Sequence, residues 1–132
     1  MFNARPSVLV GLLVLLLSGC GSDRGDVSST VTFKGEPLDQ GRIEFFAKDG
    51  PPGPTGGAAI RDGKYALTGN HGLEPGSYTV QIRSSAPQNG VEVKMGDFPV
   101  TVERIPPEYN SRSTQIVVVA PRGTNQFDFR IE

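Results

Sequence analysis

The chain of 132 residues has no tryptophan, one cysteine and one histidine. Each scarcity closes a class of chemistry. Zinc needs several nitrogen or sulfur ligands, which Cys20 and His71 cannot supply between them. A lone cysteine leaves no disulfide within the chain, so the core must hold by packing alone. A nucleophilic triad needs a base oriented by a third group. His71 lies in the turn-like run Gly69-Asn70-His71-Gly72, and no Gly-x-Ser-x-Gly elbow accompanies it. It reads as a solvated loop histidine. Calcium asks for clustered oxygens, whereas Asp49, Asp62 and Asp97 are isolated and each sits beside a glycine, which is turn chemistry. No local carboxylate pair suits glycoside hydrolysis, and no glycine pattern suits phosphate. The net charge is −1 with basic residues scattered along the chain, so neither a global field nor a stacking surface favours nucleic acid. These absences lead us to expect no enzyme, no metal and no cofactor.

Long apolar runs are scarce as well. The longest, Val8 to Leu17, has ten residues, about half of the ~20 a membrane-spanning helix requires. Arg5 precedes it and the small residues Ser18 and Gly19 follow, in the manner of a secretory leader. Leu17-Ser18-Gly19-Cys20 resembles the lipobox of bacterial lipoproteins. The resemblance implies that residues 1–19 are a signal peptide, that Cys20 is lipidated and becomes the first residue, and that residues 20–26 form a tether. It also implies a lipid-anchored, extracytoplasmic protein whose membrane partner is reached through Cys20. Gly21 rather than aspartate follows the cysteine, which by the enterobacterial pattern favours the outer over the inner membrane. Losing the leader removes Arg5 from the 13 basic residues and none of the 14 acids, leaving a net charge of −2.

What the chain has in plenty is alternation and turns. Val27, Val31 and Phe33 share a side of one run; Ile43, Phe45 and Ala47 of a second; Tyr65 and Leu67 of a third. Tyr78, Val80 and Ile82 form a fourth such set, and Phe127, Phe129 and Ile131 a fifth. A period of two over short β-branched and aromatic runs denotes strands with one buried face. Gln115 to Ala120 is apolar at both alternating sets of positions, as in a central strand or one covered on its second side. The 17 glycines and 11 prolines supply the turns. Lys34-Gly35-Glu36-Pro37, Asp62-Gly63, Glu74-Pro75-Gly76 and Arg122-Gly123-Thr124-Asn125 lie between runs, Asp-Gly being a strong two-residue hairpin signal. No window keeps helical periodicity over three turns. The expectation is an all-β Greek-key sandwich of about seven strands, Ig-like or prealbumin-like, over residues 27–132. Two segments resist placement: the Pro/Gly loop 48–57, and the long stretch 84–113, with local alternation at Val91, Val93 and Met95 and again at Phe98, Val100 and Val102.

Val31-Thr-Phe-Lys-Gly35-Glu-Pro37-Leu38-Asp-Gln-Gly41-Arg-Ile43-Glu-Phe45 resembles the opening of carboxypeptidase regulatory-like, transthyretin-type domains. Gly63-Lys-Tyr65-Ala-Leu67 and Leu73-Glu-Pro75-Gly76-Ser-Tyr78-Thr-Val80 resemble their later strands. Ile105-Pro106-Pro107-Glu-Tyr109-Asn110 is similar to a segment of small bacterial lipoproteins that carry this domain alone. The resemblance implies a seven-stranded prealbumin-like sandwich and carries over no catalytic residues.

The candidate functional residues are few. Cys20 is the lipidation site. Phe46 points outward from an otherwise alternating strand, and Pro106, Pro107 and Tyr109 offer a proline-aromatic surface; these four are the candidate partner surface. The function expected is a non-catalytic, membrane-anchored lipoprotein, a structural or binding accessory of the cell envelope, with an unknown protein or glycan partner. The alternative is a carbohydrate- or peptide-binding sandwich that uses the 84–113 and 48–57 loops.

Overall fold

The computed structural model describes residues 23–87 and 93–132, apart from the side chains of Val93 and Pro99. Residues 1–22, with Cys20, and residues 88–92, with Val91, lie outside the described residues. The strands are β1 (Asp26–Phe33), β2 (Glu36–Pro37), β3 (Gln40–Ala47), β4 (Gly56–Arg61), β5 (Lys64–Leu67), β6 (Gly76–Arg83), β7 (Ser85–Pro87), β8 (Val93–Met95), β9 (Phe98–Glu103), β10 (Ile116–Val119), β11 (Thr124–Gln126) and β12 (Phe129–Ile131). Short 3-10 turns cover Gly69–His71 and Pro107–Tyr109.

Seven of these strands follow one path, β10-β6-β3-β4-β5-β1-β11, with β2 and β12 also paired to β1. The β3-β4-β5 meander brings the chain back beside β1, the connection of a Greek key. β3 and β4 share six register pairs, whereas β4 and β5 share one, Arg61↔Lys64. The sheet therefore folds over at the Asp62-Gly63 hairpin into two layers, β10-β6-β3-β4 against β5-β1 with β11 and β12. The turn is of the kind its sequence predicts: Asp62 and Gly63 have φ of 50° and 73°, matching the twist of the strands on either side. A Cβ on Gly63 would also lie 2.7 Å from Pro37 Cβ, so glycine is needed there twice over.

The alternation in the sequence becomes the core. Val27, Val31, Ile43, Phe45, Tyr65, Leu67, Tyr78, Val80, Ile82, Phe129 and Ile131 are all buried. The Phe45 ring meets those of Tyr65 and Tyr78 at centroid distances of 6.3 and 6.4 Å, so the two layers lock through aromatic contact. The polar ends of the tyrosines find carbonyls: Tyr65 donates to Phe127 O and Tyr78 to Glu74 O, each at 2.6 Å.

One segment differs from the sequence reading, and a second that resisted placement acquires strands. The strand over 116–119 is not central. β10 ends the path, its Val117 and Val119 facing the core while Ile116 and Val118 are 53% and 66% exposed. Apolar residues on both faces recorded burial on one side only. In the stretch 84–113 the two alternating runs contribute strands, β8 and β9, and among the described residues these form a separate three-stranded sheet with β7. This sheet is an arm that leaves the body directly after β6. Its joint is polar. The buried Ser84 hydroxyl donates to Gln40 O and accepts from Arg104 Nη2, which also donates to Asp39 Oδ1. Glu103 Oε1 accepts from the backbone N–H groups of Ser84 and Ile105. The Arg104 hydrogen bond holds the Asp39 carboxyl below its ordinary pKa against the opposing effect of burial.

Candidate functional site

The chain enters the described body at Asp23, whose carboxylate pairs with Arg122 at 3.2 Å. Gly25 then bridges to Leu73. A Cβ on Gly25 would fall 2.6 Å from Asn125 Nδ2 and 2.7 Å from Ala120 O, so the entering strand is threaded through a seam that admits only glycine. Asp23 therefore lies at one end of the sandwich, beside the turn that joins β10 to β11. The 48–55 loop is at this same end, where it shapes a cavity of ≈ 500 Å³ with Glu74, Pro75 and Tyr78. Burial, with the charge of Glu74 second, raises the Tyr78 pKa there.

The 84–113 stretch begins at the opposite end. Ser84 bonds to Gln40 at the start of β3, and the Pro/Gly loop follows Ala47 at its finish. Eight extended residues put these ends about 23 Å apart, so the two stretches leave the body from opposite ends of β3. The arm has chemistry of its own. Met95 stands opposite Phe98 and Ala86 opposite Val102, so these side chains share one face. Met95, Phe98 and Val102 are 76%, 77% and 41% exposed.

The four residues of the expected partner surface are not brought together. Phe46 is half-buried on the outer side of β3. It stands opposite Thr79, which stands opposite Ile116, so Phe46 belongs to a row that runs toward the exposed β10 edge. Pro106, Pro107 and Tyr109 lie elsewhere. Pro106 O accepts from Tyr109 N–H, closing the 3-10 turn. The Tyr109 ring packs against the core and its hydroxyl donates to Arg130 O at 3.1 Å. Tyr109 thereby fastens the segment to β12, while Pro107 stays exposed. His71 is exposed in its turn, and the described residues contain no group of three metal-ligating side chains.

Comparison with protein-family models, with curated proteins and with solved structures returns no match in any of the three. The chemistry of the surface must therefore be read from its own residues.

Sequence alone did not show how the cations gather. Arg83 on β6 stands directly opposite Arg42 on β3, and Arg61 on β4 directly opposite Lys64 on β5. All four side chains are exposed, and none is in an ion pair among the described residues. Like charges set opposite each other cost stability, so the arrangement is not explained by the fold's own needs. Beside this band, between the parting strands β4 and β5, lies an open concavity of ≈ 710 Å³ lined by Ser28, Thr30, Ala59, Ala66, Arg61 and Lys64, among others. Asp128 closes its far side. Hydrogen bonds from the Ser29 and Thr30 hydroxyls hold its carboxyl below the ordinary pKa, so it is ionised at neutral pH. The signal for the band was present in the sequence: Arg42 precedes Ile43, Arg61 follows Ile60, Lys64 precedes Tyr65 and Arg83 follows Ile82. Each is the outward neighbour of a core residue, but only the strand register shows that they share one end of the sheet.

Proposed function

We propose that the chain is a lipid-anchored, non-catalytic β-sandwich of the bacterial envelope that serves as a structural or binding accessory. The observation that carries this reading is Leu17-Ser18-Gly19-Cys20 at the end of an apolar run too short to span a bilayer. The point of entry supports it, because Asp23 lies at one end of the sandwich and is exposed, leaving the preceding residues a route to a membrane. Six residues from Cys20 to Gly25 reach at most about 20 Å, so the body is held close to the bilayer. One acyl chain binds only reversibly, whereas two or three give lasting attachment. The motif order from Val31 to Asn110 favours a carboxypeptidase regulatory-like module as the body. Replacing Cys20 by serine moves the protein from the membrane to the aqueous fraction and removes the lipid mass from its N-terminus. Retention of the Cys20→Ser chain on membranes would overturn the anchor.

A second reading is a peptide- or carbohydrate-binding module. The observation favouring it is the exposed apolar face of the arm, Met95, Phe98 and Val102. Binding on peptide or glycan arrays that is lost in Phe98→Ser supports it, and silence across both arrays counts against it.

A further inference from the structure

The outer side of the β10-β6-β3-β4 layer carries two features that point to the same partner. Across its upper part run Arg83, Arg42 and Arg61, continued over the hairpin by Lys64, without an ion pair among the described residues. The acids beside this band are Glu44, two residues from Arg42 on β3, and Asp128, which lines one concavity with Arg61 and Lys64. Toward the lower end, Ile116 and Val118 are 53% and 66% exposed on a strand that holds no charge, and half-buried Phe46 lies two strands away. Cations and apolar side chains on one face suit a surface that is anionic outside and apolar beneath. Natural proteins usually guard a bare edge strand with charge or proline, and β10 has neither.

We propose that this face docks on a bilayer rich in anionic lipid, with Arg42, Arg61 and Arg83 at the phosphate level and Ile116 and Val118 entering the interface. A soluble polyanion would use the cations and leave the apolar pair idle. The position of the tether agrees, since Asp23 is held by Arg122 just beyond the end of β10. The proposal rests on the lipid-anchored reading for its geometry, because a short tether lets the body lie down beside its own anchor. Basic residues near an anionic surface act additively, and an acyl anchor with a basic patch is a known pairing of signals for lasting attachment.

The absence of tryptophan makes the test clean. Ile116→Trp reports from the proposed face and Arg130→Trp, on β12 of the other layer, from the opposite one, each in the full chain purified from membranes and reconstituted in brominated phosphatidylcholine with or without phosphatidylglycerol. The expected result is blue-shifted, strongly quenched emission at position 116 only when phosphatidylglycerol is present, with position 130 unquenched. Adding Arg42→Glu and Arg83→Glu lowers the ratio of docked to free protein by about fivefold or more for each cation removed. Slowed hydrogen exchange of 116–118 in the unsubstituted chain, again only with phosphatidylglycerol, checks the same face without a mutation. Equal quenching at both positions, quenching at neither, or quenching unchanged by the charge reversals overturns the proposal. So does equal protection of 116–118 by soluble dextran sulfate, which would assign the band to an anionic polymer. Failure of the anchor is read separately, as an unmodified Cys20 in the mass spectrum. In that case the same reporters are read after mixing the chain with anionic vesicles, and the same asymmetry decides.

Discussion

The two outer faces of the sandwich come from strands of one type, packed on one core, and they end up chemically unlike. The β10-β6-β3-β4 face presents Arg42, Arg83, Phe46, Ile116 and Val118, while the β5-β1-β11 face presents Ser28, Thr30, Lys64, Ala66 and Gln126. On the first, like charges oppose each other and apolar side chains meet solvent. On the second, hydroxyls are satisfied locally, as where Thr30 donates to Asp128 at 3.0 Å. Exposed apolar surface beside gathered charge marks interaction sites in other proteins, and the docking proposal draws on that likeness. The difference resides at the surface, so it can be altered with little change to the core.

The largest effect removes what both faces share. Phe45 is fully buried and touches aromatic rings from each layer. Phe45→Ala is expected to cost about 3–5 kcal/mol, a large part of the stability of a domain this size. Urea unfolding measures it. A loss under about 1 kcal/mol would mean that the layers are not joined through Phe45, and the two-face comparison would lose its common foundation.

How far the sequence reaches follows from the same division. Alternation alone identifies the inward residues, because burial imposes a period of two and Val27, Ile43, Tyr65, Val80 and Ile131 obey it. The Asp62-Gly63 turn is equally legible, since its backbone needs positive φ. The surface is not legible in this way. That Arg42 meets Arg83 depends on β3 pairing with β6 in one register, a contact between residues 41 apart in the chain. Ile116 and Val118 mislead for a related reason: an apolar residue reports a preference for burial, and a surface meant for a partner shows the same preference. Strand β7 escapes notice because three residues ending in Pro87 carry no periodic signal. Cys20, Pro106, Pro107 and Tyr109 read as motifs whatever the fold; the structure adds that Tyr109 is turned to the core.

A middle-sized effect comes from the seam between the layers. Burial, and after it the charge of Asp128, pushes the Tyr65 pKa well above its ordinary value near 10, outweighing the bond to Phe127 O. The folded state thus favours the neutral phenol more than the unfolded chain does. That contribution is complete below about pH 10 and is lost as pH rises toward the folded value. Tyr65→Phe keeps the ring and gives up the hydrogen bond, at a cost of about 1 kcal/mol at pH 7. Above pH 10 the variant has no phenol to ionise, so its deficit should shrink and then reverse. Urea midpoints for both chains at pH 7 and pH 11 make the comparison; a deficit constant across that range would show that the hydroxyl is not shielded as described.

The smallest effect separates the faces most sharply, because one type of substitution should act in opposite directions on them. Arg83→Glu replaces a repulsion from Arg42 by an attraction. Cross-strand charge pairs contribute roughly 0.2–1 kcal/mol, so the variant should be more stable than the parent by about that much in dilute buffer. The gain should fade near 1 M salt, where the screening length drops to about 3 Å. Thr30→Glu on the other face gives up the hydroxyl bond to Asp128 and sets a second carboxylate beside it, so that chain should lose stability in the same buffer. If Arg83→Glu also destabilised, the four cations would be supporting the fold instead of straining it. The argument that they await an anionic partner would then lose its energetic basis, since the case for docking depends on a charge arrangement that the isolated domain is better off without.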